Sequence, residues 1–253
     1  SDTNAAADNV AENVANGTVV GVTAFAADAD GSNNLVTYSL SNSAGGRFAI
    51  DTNTGIVTVA NSGLLDYEAA TNHSITVLAS STDGSTSSQV FTISLSDVNE
   101  FAISPVSDTN GAPDSVAENA ANGTVVGVTA FASDADGSNN TVTYSLNNNA
   151  GGRFTIDANT GVVTVANGLL LDYEAATSHG ITVLATSADG STSSQGFTVT
   201  LSPVNDNNPA ITSNGGGATA SVNVAENTTA VTTVTANDAD LPAQTLSYSI
   251  IGG

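Results

Sequence analysis

The sequence is built from an internal repeat. Residues 1–100 match residues 107–206 at 78 of 100 positions when one stretch is shifted by 106. A third copy begins with VAEN at 224–227, the motif that also stands at 10–13 and 116–119. A period near 100 residues is too long for helical solenoid repeats and is typical of tandem small domains. The sequence therefore predicts a first repeat at 1–100, a linker at 101–106, a second repeat at 107–206, a linker at 207–218, and an incomplete third repeat at 219–253.

Within each repeat, apolar residues alternate with polar ones in short runs. The clearest runs of the first repeat are Val20, Val22 and Ala24; Val36, Tyr38 and Leu40; Ile75, Val77 and Ala79; Phe91, Ile93 and Leu95. A period of two, rich in β-branched and aromatic residues and broken by Gly, Asn, Asp and Ser, predicts strands joined by turns. About seven strands in roughly 100 residues favour an all-β fold. We expect tandem seven-stranded Greek-key β-sandwiches in a linear array.

The charge balance limits the possible partners. Asp and Glu number 24 against two basic residues, Arg47 and Arg153, and the net charge is −22. Phosphate recognition needs cationic side chains, so nucleic acid and anionic membrane surfaces are excluded as expected partners. No apolar run reaches the ~18–20 residues of a membrane span, and membrane insertion is not expected. Cations are the natural partners of such a chain, and the absence of Cys leaves its compartment open.

Most of the acids recur at matching positions as D-x-D, D-x-E or x-E-N groups at strand ends and turns. A spacing of two places alternate side chains of an extended segment on one face. Ca²⁺ takes six to eight oxygen ligands, several of them carboxylates. The pattern therefore predicts calcium sites. The acids concerned are Glu12, Asp28, Asp30, Asp66, Glu68, Asp83, Asp97 and Glu100 in the first repeat; Glu118, Asp134, Asp136, Asp172, Glu174, Asp189 and Asp206 in the second; and Glu226, Asp238 and Asp240 in the third.

Five motifs follow one another in the same order in both full repeats: VAEN, DAD, LDYE, a turn of the pattern A-x-S-x-D-G (ASSTDG at 79–84), and DVNE at 97–100, which the second repeat has as PVND at 203–206. Jointly they resemble the calcium-binding cadherin repeat family, in particular the cadherin-like repeats of large bacterial surface adhesins. The resemblance implies that about three Ca²⁺ ions are shared between the base of one repeat, the linker, and the top of the next.

By position, the resemblance implies a ligand set for each junction. At the first junction it implies Glu12, Asp66, Glu68, Asp97, Asn99, Glu100, Asp134, Asp136 and Asp189. At the second it implies Glu118, Asp172, Glu174, Asn205, Asp206, Asp238 and Asp240. Asp28, Asp30 and Asp83 form half a site.

The linkers depart from the family pattern D-x-N-D-N. Glu100 and Phe101 replace the last Asp and Asn in the first linker, and Pro203 replaces the first Asp in the second. The middle ion of the second junction is therefore in question.

The resulting functional hypothesis is a calcium-stiffened stalk or adhesive module of a secreted or surface-anchored bacterial adhesin involved in biofilms. Its partners would be calcium and another cell-surface protein or an extracellular polysaccharide. The alternative is a Ca²⁺-dependent polysaccharide-binding module. An enzyme is not expected, because every polar cluster is duplicated and no G-x-S-x-G or zinc-type spacing occurs.

Overall fold

The computed structural model describes residues 1–252 and divides them into two compact units. The first unit contains Ser1–Ala102 together with Ala135–Asn140. The second contains Ile103–Asp134 and the chain from Thr141 onward. The segment 135–140, which belongs to the second repeat by sequence, is thus part of the first unit.

The first unit has seven strands. In chain order they are β1 (Asn9–Ala11), β2 (Val19–Thr23), β3 (Val36–Asn42), β4 (Phe48–Ile50), β5 (Ile56–Val59), β6 (Asn72–Ser81) and β7 (Thr86–Ser96). One sheet has the order β1-β7-β6-β3 and the other the order β2-β5-β4. All pairings between named strands of this unit are antiparallel except β1 with β7, which is parallel.

The second unit repeats this arrangement and has three additional strands of two residues each. Its strands are β8 (Ser107–Asp108), β9 (Ser115–Ala117), β10 (Val125–Phe131), β11 (Val142–Asn148), β12 (Phe154–Ile156), β13 (Val162–Val165), β14 (Ser178–Ser187), β15 (Thr192–Ser202), β16 (Ala210–Ile211) and β17 (Ala236–Asn237). Two four-stranded sheets run β12-β13-β10-β8 and β11-β14-β15-β9, and β16 pairs with β17. In the first unit, the position of β8 is marked only by a bridge between Asp2 and Ala24.

The alternating residues form the core of each sandwich. On the two sheets of the first unit, Val20, Val22, Val57 and Ile75 are fully buried. They pack in one hydrophobic cluster with the aromatic residues of β3, β4 and β7. The prediction of tandem all-β sandwiches is confirmed. Burial of apolar area stabilises such a core by roughly 25 cal/mol per Å².

Close packing of the backbone requires glycine at matching positions of the two sandwiches. At Gly21, in β2, φ is +91° and a Cβ would lie 2.2 Å from the carbonyl oxygen of Ala7. Gly127 of β10 has the same φ and the same distance to Pro113. A side chain at either position would push the lead-in segment off the strand that it crosses.

Candidate metal centre

The first acidic site is organised by a buried carboxylate, Glu12, which follows β1 directly. Only 1% of its surface is exposed. Its Oε2 accepts a hydrogen bond from the Tyr67 N–H at 2.5 Å, and its Oε1 accepts one from the Val98 N–H at 3.0 Å. Glu118 has the same role in the second unit, accepting from Tyr173 N at 2.7 Å and Val204 N at 2.6 Å. Each glutamate thereby joins the LDYE turn to the segment that follows the last long strand.

Glu68 and Glu100 converge on Glu12. One carboxylate oxygen from each of the three lies within 4.8 Å of the others. Desolvation, followed by the negative charges of Glu12 and Glu68, raises the pKa of Glu100. The raised pKa indicates a site that lacks a positive partner among its own side chains.

A second group shares Glu68 with the first. Its other members are Asp97 and Asp136, and again one oxygen from each lies within 4.8 Å of the others. Asp136 is 1% exposed, and its Oδ1 accepts from the N–H groups of Glu100 and Phe101, both at 3.1 Å. All of these residues belong to the first unit, because 135–140 is part of it.

Asp97 is held by only one of its two oxygens. Its Oδ2 accepts from the hydroxyl of Ser138, whereas its Oδ1 is buried and has no hydrogen-bond partner. A buried carboxylate oxygen without a donor is costly unless a cation satisfies it. This atom is the clearest sign that the group fits a metal ion.

Close packing beside the carboxylates makes Gly137 obligatory. Its N–H donates to Glu68 Oε1 at 2.6 Å. A Cβ at this position would lie 2.6 Å from Cδ1 of Tyr67. The matching residue of the first repeat, Gly31, has open space around it. The glycine therefore allows the 135–140 loop to approach the LDYE turn.

The second unit contains a comparable group of three acids, surrounded by different residues. Glu118, Glu174 and Asp206 place carboxylate oxygens within 4.8 Å of one another. Leu241 N donates to Glu174 Oε1 at 2.9 Å, as Gly137 N does to Glu68 in the first unit.

Asp240 lies at the same end of the second unit and is held by amides. It is 2% exposed, and its Oδ1 accepts from the backbone N–H and the side-chain amide of Asn207, both at 2.9 Å. The Asn207 amide is the main cause that lowers the pKa of Asp240. Gln244 also donates to Asp240, at 3.2 Å, and accepts from the Asn205 amide at 2.9 Å.

The half-site acids also come together. Asp28, Asp30 and Asp83 place oxygens within 4.8 Å of one another. A hydrogen bond from the Ser85 backbone N–H is the main cause that lowers the pKa of Asp83. In the second unit, the matching Asp134 and Asp189 likewise lie within 4.8 Å of each other.

Three other acids of the expected ligand set, Asp66, Asp172 and Asp238, lie outside the three-acid groups formed by residues 1–252. Asp66 and Asp172 accept from the backbone N–H three residues later, at Ala69 and Ala175, and so close the LDYE turns. Asp238 accepts from the N–H of Asp240 at 3.2 Å. Asn99 and Asn205 stand in the segments after β7 and β15 and offer amide oxygens. Which of these residues are ligands stays a prediction.

Both basic side chains are engaged away from the acids. Arg47 donates to the carbonyl oxygens of Leu64 at 2.9 Å and Ala44 at 2.8 Å. Arg153 makes the same bonds to Leu170 and Ala150. The guanidinium groups therefore brace the turn after β3 and β11, respectively.

These sandwiches, with acids gathered at strand ends and turns, define a tandem-repeat module, and the family model for the cadherin domain matches it at residues 8–96 and 114–202. The chain belongs to the cadherin domain family. It is 37% identical over 159 residues to human Protocadherin Fat 4, covering 60% of this chain and 3% of that protein. It is 34% identical over 203 residues to human Cadherin-7, covering 73% of this chain and 25% of that protein.

Solved cadherin structures share the fold. The protocadherin GammaB4 extracellular domain aligns with a TM-score of 0.68 and 29% identity, over 92% of this chain and 36% of that one. Mouse Cadherin-23 EC22-24 aligns with a TM-score of 0.67 and 28% identity, over 92% of this chain and 74% of that one. The chain thus spans a small part of the curated relatives, 3% and 25% of the two named above.

Membership of the cadherin domain family indicates the location and the general class of the protein. Homologous cadherin ectodomains are extracellular, and the predicted extracellular location is confirmed. Cadherin domains are adhesion modules rather than enzymes. Among residues 1–252, no helix has the length and apolar character to cross a bilayer. The relatives named are vertebrate proteins, so they support a cadherin repeat without supporting a bacterial origin.

Proposed function

We propose that this chain is a calcium-binding segment of an extracellular stalk or adhesive protein. The observation that carries the proposal is the first acidic site: two carboxylates that are 1% exposed, Glu12 and Asp136, and a buried Asp97 oxygen without a donor. Side chains of opposite charge do not fill the site, since Arg47 and Arg153 bond to carbonyl oxygens elsewhere. Burying carboxylates costs several kcal/mol each unless a cation offsets the charge.

The donor set suits Ca²⁺. Every side chain in the two groups is a carboxylate, and hard oxygen ligands without His or Cys favour Ca²⁺ over zinc or other transition metals. Because Glu68 belongs to both groups, Glu12 and Glu100 would hold one position, and Asp97 and Asp136 a neighbouring one. Bound Ca²⁺ would supply the positive charge that these carboxylates lack.

The mechanical consequence follows from which segments carry the ligands. Glu12 and Glu68 come from the first repeat, Glu100 from the linker, and Asp136 from the second repeat by sequence. A shared cation would tie all three segments together, and its removal would leave their carboxylates to repel one another. Stiffening of the linker by calcium is therefore the proposed role of the site.

The site can be tested by titrating the whole chain with Ca²⁺ and with Mg²⁺ in a calorimeter, and by comparing thermal melts in Ca²⁺ and in chelator. A ligand at a hundredfold excess over its dissociation constant stabilises the native state by roughly 2.7 kcal/mol. Glu68→Gln should weaken both positions. Asp51→Asn, at an exposed turn acid outside the groups, should leave binding unchanged. Coincident melts and no heat of binding would reject the proposal.

We further propose that the parent protein is a bacterial surface adhesin that contacts another cell-surface protein. Support comes from the resemblance carried by the ordered motifs and from the near-identity of the repeats, 78 positions in 100. Antibody against this chain should label intact source cells, and protease shaving should remove the label. The polysaccharide-binding alternative stays a prediction, and a glycan array probed with and without Ca²⁺ tests it.

A further inference from the structure

Asparagine reacts with its own backbone most easily where glycine follows it. The reaction requires the amide nitrogen of the following residue to reach the side-chain carbonyl carbon, and glycine, which lacks a Cβ, gives the backbone the necessary freedom. The two full repeats contain four Asn-Gly pairs, at 16–17, 110–111, 122–123 and 167–168. These pairs differ in whether the glycine N–H is already engaged in a hydrogen bond.

Three of the four pairs are protected by such bonds. The Gly17 N–H donates to the Val59 carbonyl oxygen at 2.7 Å, and the Gly123 N–H makes the matching bond at 2.7 Å. The Gly168 N–H donates to Asn122 Oδ1 at 2.9 Å. Attack by any of these nitrogens would first require its hydrogen bond to break, which has a free-energy cost in a folded domain.

The pair Asn110–Gly111, between β8 and β9, lacks this protection. Gly111 is exposed, and its N–H donates to no acceptor in residues 1–252. Asn110 Oδ1 accepts a hydrogen bond from the Ala112 N–H at 3.0 Å. Because that bond spans Gly111, it keeps the carboxamide beside the Gly111 nitrogen. The same N–H would also stabilise negative charge on Oδ1 as the carbonyl carbon is attacked.

The fold does not require glycine at position 111. Its φ lies outside the left-handed region, and a Cβ added there would meet nothing within 4 Å. The first repeat has Asn4–Ala5 at the matching positions, and Asn4 Oδ1 accepts from the Ala6 N–H at 2.9 Å. The two repeats therefore share the local hydrogen bond, with glycine after asparagine in one and alanine in the other.

We propose that Asn110 is a site of spontaneous deamidation, and that the reaction loosens the segment 107–114. The Gly111 nitrogen bonds to the Asn110 Cγ and loses its proton, the bond from Cγ to the side-chain nitrogen breaks, and ammonia leaves. Water then opens the cyclic imide at one of its two carbonyls, which gives aspartate or isoaspartate. The reaction consumes water and releases ammonia. It needs no oxidant, enzyme or Ca²⁺, so its failure is distinguishable from failure of the calcium proposal.

The product would add a negative charge to a region that is already acidic. Asp108 Oδ1 accepts from the N–H groups of Asn110 and Thr129, both at 2.9 Å, and so fastens β8 to β10. Desolvation, followed by the negative charge of Asp108, raises the pKa of Asp114. The two carboxyl groups are therefore close, and a third carboxylate at position 110 would repel both. Deamidation should weaken the attachment of this segment to the second sandwich.

The test follows the whole chain during incubation in mildly alkaline buffer. A protease that cleaves after glutamate releases residues 101–118, a peptide in which Asn110 is the single asparagine. Mass spectrometry measures the conversion of amide to acid, and electron-transfer fragmentation separates aspartate from isoaspartate. We expect Asn110 to convert about tenfold faster or more than Asn4, Asn16 and Asn122, with isoaspartate among the products. Equal rates at Asn110 and Asn4 would overturn the proposal.

A reciprocal pair of variants isolates the effect of the glycine. Gly111→Ala should slow the reaction at Asn110 to the rate seen at Asn4, whereas Ala5→Gly should accelerate the reaction at Asn4. Thermal melts check that both variants are folded. A rate at Asn110 that Gly111→Ala leaves unchanged would contradict attack by the glycine nitrogen.

Unfolding tests whether the hydrogen bonds protect the other pairs. In concentrated urea, the N–H groups of Gly17 and Gly123 are released, and Asn16 and Asn122 should then react about as fast as Asn110. If both asparagines stay slow in urea, the selection of Asn110 by the fold is wrong.

The effect on the fold is measured with the product itself. Asn110→Asp should lower the melting temperature relative to wild type. Asn147→Asp, the same change of charge at an exposed strand position, should leave it unchanged. Equal melting temperatures for the two variants would contradict the loosening of the segment 107–114.

Discussion

Glu12 and Glu118 combine two roles at the scale of single residues. Each belongs to an acidic group that is a candidate for Ca²⁺, and each accepts two backbone hydrogen bonds while almost fully buried. The backbone N–H groups that they satisfy would otherwise be buried without partners. The glutamates therefore contribute to the fold even when no metal is bound.

Glu12→Ala should destabilise the first repeat in chelator as well as in Ca²⁺. Leaving a buried donor unsatisfied costs about 1–3 kcal/mol, and 1 kcal/mol lowers the melting temperature of a small domain by roughly 4–8 °C. Calorimetric melts in chelator measure the effect. Asp30→Ala is the control, since Asp30 is exposed. Equal melting temperatures for wild type and Glu12→Ala in chelator would show that the glutamate serves metal binding alone.

His73 and His179 make the stability of the sandwiches depend on pH. Each packs against a Phe ring at 6.3 Å, and each has a buried Nε2 with no hydrogen-bond partner. Desolvation, followed by the charge of Arg47 or Arg153, lowers the pKa of each imidazole in the folded state. The folded protein therefore favours neutral histidine.

Because the folded pKa lies below the unfolded value of about 6.5, the unfolded chain binds more protons as the pH falls. The contribution of each histidine is complete above pH ~6.5 and declines as the pH falls toward the folded pKa. The measurement is a series of thermal melts from neutral to mildly acidic pH, on wild type and on the double variant His73→Gln, His179→Gln. The difference between the two proteins gives the pH dependence of stability that the histidines cause, separate from that of the carboxylates. An identical pH dependence in both proteins would contradict it.

Sequence reasoning found the acids but missed what fixes them. The D-x-D and LDYE spacings are local and could be read directly, and the structure gathers many of these acids into groups. The partners of Glu12 lie 55 and 86 residues away, at Tyr67 and Val98, and no spacing rule reports them. The glycine requirement at position 137 is hidden for the same reason, since it depends on the Tyr67 ring.

At the scale of elements, alternation was sufficient to predict the long strands. It failed at the lead-in, where β1 pairs in parallel with β7 and β8 is two residues long. Segments that short carry no period. The packing of Ile103 and Val106 was also unpredictable, because Phe101–Val106 shares nothing with Asn207–Thr212 and repeat comparison gives no signal there.

The two linkers should differ in their capacity for Ca²⁺. In the first, Asp97 offers a carboxylate and accepts from Ser138. In the second, Pro203 and Pro242 stand near the corresponding positions, and amides of Asn207 and Gln244 hold Asp240 instead. Proline supplies neither a side-chain oxygen nor an N–H.

We expect the second linker to hold fewer ions or to hold them more weakly. Pro203→Asp should add Ca²⁺ binding, and the reciprocal Asp97→Pro should remove it from the first linker. Isothermal titration of the two variants and of wild type gives the stoichiometry directly. If Pro203→Asp leaves both the number of ions and their affinity unchanged, the prediction that the two linkers bind Ca²⁺ unequally is wrong.

At the scale of the whole molecule, the charge of −22 dominates. Acidic groups recur along the chain, and without cations they act on one another over a Debye length of about 8 Å at physiological salt. Self-repulsion on this scale opposes close approach of neighbouring repeats. Composition therefore predicts a dependence on cations, and this dependence stays a prediction.

The last prediction concerns stiffness. In millimolar Ca²⁺, the range in which extracellular modules bind it, ligands from the first repeat, the linker and the 135–140 loop should be tied together. Small-angle scattering should then report a more extended and less flexible particle in Ca²⁺ than in chelator, with the sandwiches folded in both. Asp136→Ala should reduce this difference more than Asp30→Ala, because Asp136 groups with Glu68 and Asp97, whereas Asp30 groups only with acids of its own repeat. A maximum dimension and flexibility that are the same with and without Ca²⁺ would exclude stiffening as the function of the site.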